Sequence, residues 1–273
     1  MRFLLSRRWL LFLGAVLVLA FVAFRLGEWQ FHRLAEREQR NAVTERNLDT
    51  APVPVDRVLS VGGQVDAEDE WRHVTARGTY AEDHTVVVRY QTRDGKSGVD
   101  VVTPLVTDEG PALLVNRGWL ATGNTGTTPD LPAPPPGEVE VTGWVRADGT
   151  GSATAVEDGS TRAVSSRTIG ESLPFDVYGG FVELDEETPP PDQPLGPVEE
   201  PDLGEGPHFF YGLQWWFFAA LAVFGFGYLV WDERRRQRAR AGSVEEVSDG
   251  PEPPTPAGAS RSGGPGGGAP PRP

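Results

Sequence analysis

Apolar residues fall into two long runs separated by a polar middle. The first is unbroken from Trp9 to Phe24, and the second extends from Phe209 to Trp231 with Gln214 as its one strongly polar interruption. A helix needs about 20 apolar residues to cross roughly 30 Å of hydrocarbon. The second run meets that length. The first meets it if Arg25 snorkels and Leu26 and Gly27 continue the helix, so the pattern predicts spans over residues 9–27 and 208–231. A cleavable signal peptide is the rival reading of the first run. It is set aside because Ala20 and Ala23 lack the one-residue spacing of a cleavage site.

Residues 28–207 follow other periods. Gly27 to Leu48 places Trp29, Arg33, Glu36, Arg37 and Arg40 at spacings that suit i,i+3 and i,i+4 pairs on a solvated helix, which Pro52 and Pro54 stop. From Trp71 the chain turns to short segments rich in Val, Thr and aromatics. These are WRHVTARGTY, HTVVVRY, GVDVVTPLVT, PALLVNRGWL and EVEVTGWVRA, followed by Asp176 to Leu184, with Gly, Pro and Asp clusters between them. Five or six such strands predict an extracytoplasmic, mainly antiparallel β (α+β) domain, as a barrel or curled sheet. Ser165 to Ser172 reads as a short helix and Gly149 to Ser160 as a flexible insertion. Thr188 to Pro207, rich in proline and acid, is an extended lead into the second span. Residues 232–273, Gly- and Pro-rich toward the end, read as a disordered tail.

Charge orients this arrangement. Arg2, Arg7 and Arg8 precede the first span, and Arg234, Arg235, Arg236, Arg238 and Arg240 follow the second. By the positive-inside rule both termini, residues 1–8 and 232–273, are cytoplasmic. The protein is then a multi-pass component of the cell (plasma) membrane with its central domain outside. The net charge of −14 is uneven, because residues 28–207 hold 14 basic against 33 acidic side chains. Such a domain repels phosphate backbones, so no nucleic acid partner is expected; the expected surroundings are the lipid bilayer. The absence of cysteine excludes disulfides and thiolate metal sites, and Met1 is the single methionine.

Signatures of the common enzymes are absent: no HExxH, no P-loop, no GxSxG and no dinucleotide fingerprint. The acidic group Asp66, Glu68, Asp69 and Glu70 reads as solvated surface, and His73 and His84 as ordinary strand or turn positions. The outer membrane interface carries more. Trp29 and Gln30 leave the first span at the depth where His208, Tyr211, Gln214 and Trp215 enter the second. On a helix His208, Tyr211 and Trp215 share a face. That face offers an imidazole for axial haem ligation and rings to pack on a macrocycle. The plainer reading makes the same aromatics membrane anchors.

Several segments, in order, resemble the surfeit-locus protein 1 family. They are GEWQ (27–30) with Arg33, RHV (72–74) with GTY (78–80), Gly98 with TPL (103–105), LVNRGW (114–119), Val141 with Gly143, and the H-x-x-Y-x-x-Q-W of His208, Tyr211, Gln214 and Trp215. LVNRGW and H-x-x-Y-x-x-Q-W are the specific ones. The chain departs from the family at Ala121 and Pro207, where proline and asparagine are usual, and in its long tail. The resemblance implies a non-enzymatic chaperone of respiratory chain complex IV biogenesis: an assembly factor for haem–copper cytochrome c oxidase. Such a factor would take haem a transiently, with haem a synthase and oxidase subunit I as partners. It implies that His208 is the axial ligand to haem iron, with Trp29, Gln30, Tyr211, Gln214 and Trp215 around it. Asn116, Gly118 and Trp119 are expected to be structural, and Arg117 structural or set toward a haem propionate. The alternative is a membrane-anchored scaffold that stabilises an oxidase assembly intermediate without binding haem.

Overall fold

The computed structural model describes residues 5–122 and 130–248, and the chain divides into a helical unit (residues through Gly27 and from Leu213) and a β-rich unit, Glu28–Gly212. Helix α1, Arg7–Leu48, and helix α3, His208–Ser248, each contribute to both units.

Within the helical unit the two helices run antiparallel. Trp9 and Phe12 meet Phe226 at 6.0 and 5.6 Å between ring centroids, and Phe24 stacks on Trp216 at 6.0 Å with the planes 9° apart. Each such pair adds roughly 0.5–1.5 kcal/mol beyond the area it buries. Leu11, Leu19, Phe217 and Phe224 remain exposed, so the pair is apolar outside as well as between. Both helices are long and apolar enough to cross a membrane. Helix α3 does not stop at Trp231. Residues 232–248, expected in the disordered tail, are helical: the segment holds five Arg and three Glu, and Arg236–Asp232 (2.9 Å) and Gln237–Glu233 (3.0 Å) pair at i,i+4. Arg2 and the remainder of the tail lie outside the described residues.

The β-rich unit is built on eight strands: β1 Val53–Pro54, β2 His73–Tyr80, β3 Val86–Arg93, β4 Lys96–Thr107, β5 Ala112–Ala121, β6 Glu138–Arg146, β7 Ser160–Thr161 and β8 Phe181–Thr188. Their order is β1-β2-β6-β8-β5-β4-β3-β7, and β2 also pairs with β4 through Gly78–Thr107 to Tyr80–Leu105. That second pairing closes β2, β6, β8, β5 and β4 into a small barrel. Most ladders are antiparallel; β1–β2, β3–β7 and β5–β8 are short parallel contacts.

Alternation fills the barrel. Val74, Ala76 and Tyr80 of β2, Leu113 and Val115 of β5, and Val139, Val141 and Val145 of β6 point inward with Leu105 and Val182. A second core lies on the other face of β5, where Ala112 and Leu114 pack with Val86, Val102, Ile169 and Phe181. Strand β5 is therefore buried on both faces, which explains its continuous apolar run. Helix α2, Ser166–Gly170, lies within the predicted short helix, and the Ser165 hydroxyl accepts from Thr168 N. Gly149 to Ser160, expected to be a flexible insertion, is folded: it contains a 3-10 turn at Gly151–Thr154, buries Thr154, and leads into β7 beside β3. Strand β8 begins later than predicted, because Gly180, at φ +86°, breaks the chain after Val177 and Tyr178 make isolated bridges.

Candidate functional site

Two predicted residues from opposite ends of the β-rich unit meet. His208 Nδ1 lies 2.8 Å from Gln30 Oε1, and both side chains are half-buried. Their approach depends on Gly212. It is buried, and a Cβ there would lie 2.8 Å from the Phe31 ring. Phe31 also meets Phe209 edge-on at 6.1 Å. Pro207 sits just before α3, where a missing N–H costs nothing, and its carbonyl accepts from Tyr211 N at 3.2 Å.

The turn before His208 is fastened to α1. Arg37 Nη2 pairs with Asp202 Oδ2 at 2.7 Å, Arg37 Nε donates to Gly204 O, and Asn41 Nδ2 donates to Leu203 O at 2.6 Å. Gly204 N donates to Asp202 Oδ1 at 2.9 Å; that bond, then Arg37, holds the Asp202 carboxyl below its ordinary range. Gly206, at φ +68°, lies against the ring: a Cβ there would stand 3.7 Å from His208 Nε2. Among the described residues nothing hydrogen-bonds that nitrogen. The charge spacing of α1 suggested pairing along the helix, and Arg33–Glu36 does so at 3.0 Å. Arg37 instead reaches a segment 165 residues away. Arg37, Asn41, Gly206 and Gly212 were not singled out as site residues, because long-range partners leave no local pattern.

The other predicted residues fall in both units. Trp29 and Tyr211 are exposed, with Arg33 over the Trp29 ring at 5.7 Å. Gln214 and Trp215 belong to the helical unit, where Trp215 packs edge-on against Phe218 at 5.9 Å. Arg117 is buried in the barrel wall, donates to Pro132 O (3.0 Å) and Ala133 O (3.2 Å), and lies over the Tyr80 ring at 5.4 Å. Burial, then Glu187, pushes the Tyr80 hydroxyl pKa well up; that hydroxyl donates to Glu187 at 2.9 Å.

The rest of the NRGW segment is structural, as its chemistry suggested. Gly118 has φ +132°, and a Cβ would stand 2.4 Å from Gly196 O. Trp119 exchanges backbone bonds with Gly196 (2.9 and 2.8 Å), donates Nε1–H to Gln91 O at 3.1 Å, and lays its ring on Gly98. His73 stacks on Trp144 at 5.5 Å beside Asp185 (3.3 Å), and His84 meets Phe175 edge-on at 5.9 Å, so neither histidine has the other as partner. Among the described residues no group of three or more His, Cys, Asp or Glu is arranged to hold a metal ion.

A groove of about 870 Å³ runs between the barrel and the proline-rich strap, residues 189–207. Trp71, Trp144 and Leu184 line the barrel side, Pro197, Val198 and Pro201 the strap side, and Asp185, Glu186, Glu199 and Glu200 stand among its lining residues. Arg146 lies 4.1 Å over the Trp71 ring and bridges Glu70 (3.3 Å) and Glu183 (3.0 Å).

The sequence pattern of the SURF1 family matches residues 17–220. A SURF1-like protein of Mycobacterium tuberculosis is 32% identical over 250 residues, covering 88% of this chain and 90% of its own. A SURF1-like protein of Monosiga brevicollis is 32% identical over 150 residues, 50% of this chain and 52% of its own. The cytochrome oxidase assembly protein SHY1 of Saccharomyces cerevisiae is 27% identical over 110 residues, 40% of this chain and 28% of its own.

Proposed function

As the chain belongs to the SURF1 (surfeit-locus protein 1) family, we propose that it is a membrane-anchored assembly factor for cytochrome oxidase and not an enzyme. The name of the yeast relative supports the oxidase as its client. The two apolar helices would span the cell membrane. Arg7 and Arg8 on one helix and Arg234, Arg235, Arg236 and Arg238 on the other support cytoplasmic termini and an external β-rich domain.

The cargo in this reading is haem a, received from haem a synthase and passed to oxidase subunit I, and His208 is its axial ligand. The hydrogen bond between His208 and Gln30 carries the proposal. One imidazole with a partnered Nδ1 and an unbonded Nε2 is the donor set that axial ligation requires. Trp29 and Tyr211, exposed in the same unit, supply apolar ring surface for a macrocycle. Haem supplies an iron that accepts the imidazole lone pair; the protein binds, orients and releases it. Arg117 is left out of this site because its guanidinium serves the Pro132 and Ala133 carbonyls. The test is purification after co-expression with haem a synthase, followed by an absorption spectrum. Haem a is expected with the wild type and not with His208→Ala; full retention by the variant overturns the ligand assignment.

A second reading rests on the groove. Its aromatic and proline lining beside several carboxylates suits a protein segment, and a scaffold would hold an assembly intermediate there without haem. Capture of oxidase subunits that persists in cells unable to make haem a favours the scaffold; capture that vanishes there removes it.

A further inference from the structure

The ring of His208 meets opposite demands at its two nitrogens. A neutral imidazole carries one N–H and one lone pair, and the partner of either nitrogen decides which is which. An unassisted imidazole prefers its proton on Nε2, the nitrogen that would have to be bare to bind iron. Gln30 reverses that preference. Its carboxamide oxygen can only accept, and with that oxygen 2.8 Å from Nδ1 the contact is a hydrogen bond when Nδ1 carries the proton.

The surroundings hold this pairing in place. Gly212 brings the first turn of α3 close enough to α1 through its contact with Phe31, and Arg37 and Asn41 fasten the turn that leads into the histidine. Gly206 places no side chain in front of Nε2. We propose that Gln30 is a positioning residue that locks His208 in its Nδ1–H tautomer and leaves the Nε2 lone pair free for a metal. The metal in this statement rests on the haem reading; the tautomer does not.

The tautomer is measurable without haem. The full chain, in lipid nanodiscs and labelled with 15N in its histidine rings, gives four ring systems: His32, His73, His84 and His208. The His208 signals are those missing in His208→Ala. The wild type is expected in the Nδ1–H form, Gln30→Leu with most of its His208 in the Nε2–H form, and Gln30→Glu, which keeps an acceptor, back in the Nδ1–H form. Unchanged His73 and His84 signals show that the Gln30→Leu variant is folded. A wild type in the Nε2–H form overturns the proposal, as does a folded Gln30→Leu variant that keeps the wild-type tautomer. If Gln30→Leu does not fold, the wild type and Gln30→Glu spectra still decide the matter.

Failure here is distinct from failure of the haem reading. An Nδ1–H histidine in a protein that never takes up haem leaves the tautomer assignment standing and removes the cargo. Uptake of haem a by a protein whose His208 is Nε2–H overturns only the role of Gln30. Where both hold, Gln30→Leu lowers haem a affinity about 10- to 100-fold, the usual cost of losing the partner of a ligating histidine.

Discussion

Gln30 and His208 are 178 residues apart in the chain and share a 2.8 Å hydrogen bond. A bond of this kind contributes about 0.5–1.5 kcal/mol net. A double-mutant cycle with Gln30→Leu and His208→Leu, read from denaturation of the full chain, is expected to return a coupling in that range. Gly212→Val drives a side chain into the Phe31 ring and is expected to abolish the coupling. Coupling that survives Gly212→Val contradicts the packing described here.

Arg37 and Asn41 fasten residues 202–204 to α1. Their contacts are at the surface, so Arg37→Ala is expected to leave the melting temperature nearly unchanged. Backbone amides of residues 203–206 are expected to exchange with solvent at least about threefold faster, as in a local opening. Exchange indistinguishable from wild type would show that the turn is held by something else.

Gly118→Ala combines a left-handed backbone with a 2.4 Å approach to Gly196 O. Strain of this kind costs on the order of 1–3 kcal/mol before the strap is displaced. The expected result is a loss of at least about 2 kcal/mol in chemical denaturation, with new protease cleavage in the strap. Trp119→Phe, which gives up the bond to Gln91 O, is expected to cost about 1 kcal/mol.

Acid is expected to favour part of the β-rich unit. Burial pushes the Asp100 and Glu183 carboxyls above their ordinary range, against the opposing pull of Arg93 and Arg146. A carboxyl with a raised folded pKa takes up its proton in the native state before the unfolded one. Its contribution to stability therefore rises as pH falls through the folded pKa, and is complete below the unfolded value. From pH 7 to pH 5 the double variant Asp100→Asn/Glu183→Gln should gain less, or lose more, in melting temperature than the wild type. An equal or steeper gain in the variant refutes the assignment.

The strands were legible because alternation is local: Val74, Ala76 and Tyr80 announce an inward face without reference to any other strand. Barrel closure was not, because the pairing of Gly78 with Thr107 is a matter of register and leaves no mark on either segment. The site was half legible. His208 and Gln30 stood out as polar residues at the ends of apolar runs. Arg37 read as one more charge on a solvated helix, and Gly212 carried no signal that set it apart. Their meaning lies in partners far along the chain.

One stripe of α1 carries Gln30, Leu34, Arg37 and Asn41, and just beyond it the buried Asn47 donates to Glu68 O (2.7 Å) and Glu70 O (2.9 Å). No glycine or proline interrupts the helix between Glu28 and Leu48, so the stretch has no joint. From Gln30 to Asn47 it is a rod about 25 Å long, at roughly 1.5 Å per residue. One unbroken length of helix therefore bonds to His208 at Gln30 and to the Glu68–Glu70 turn at Asn47, so a single element ties the entry of α3 to the edge of the barrel.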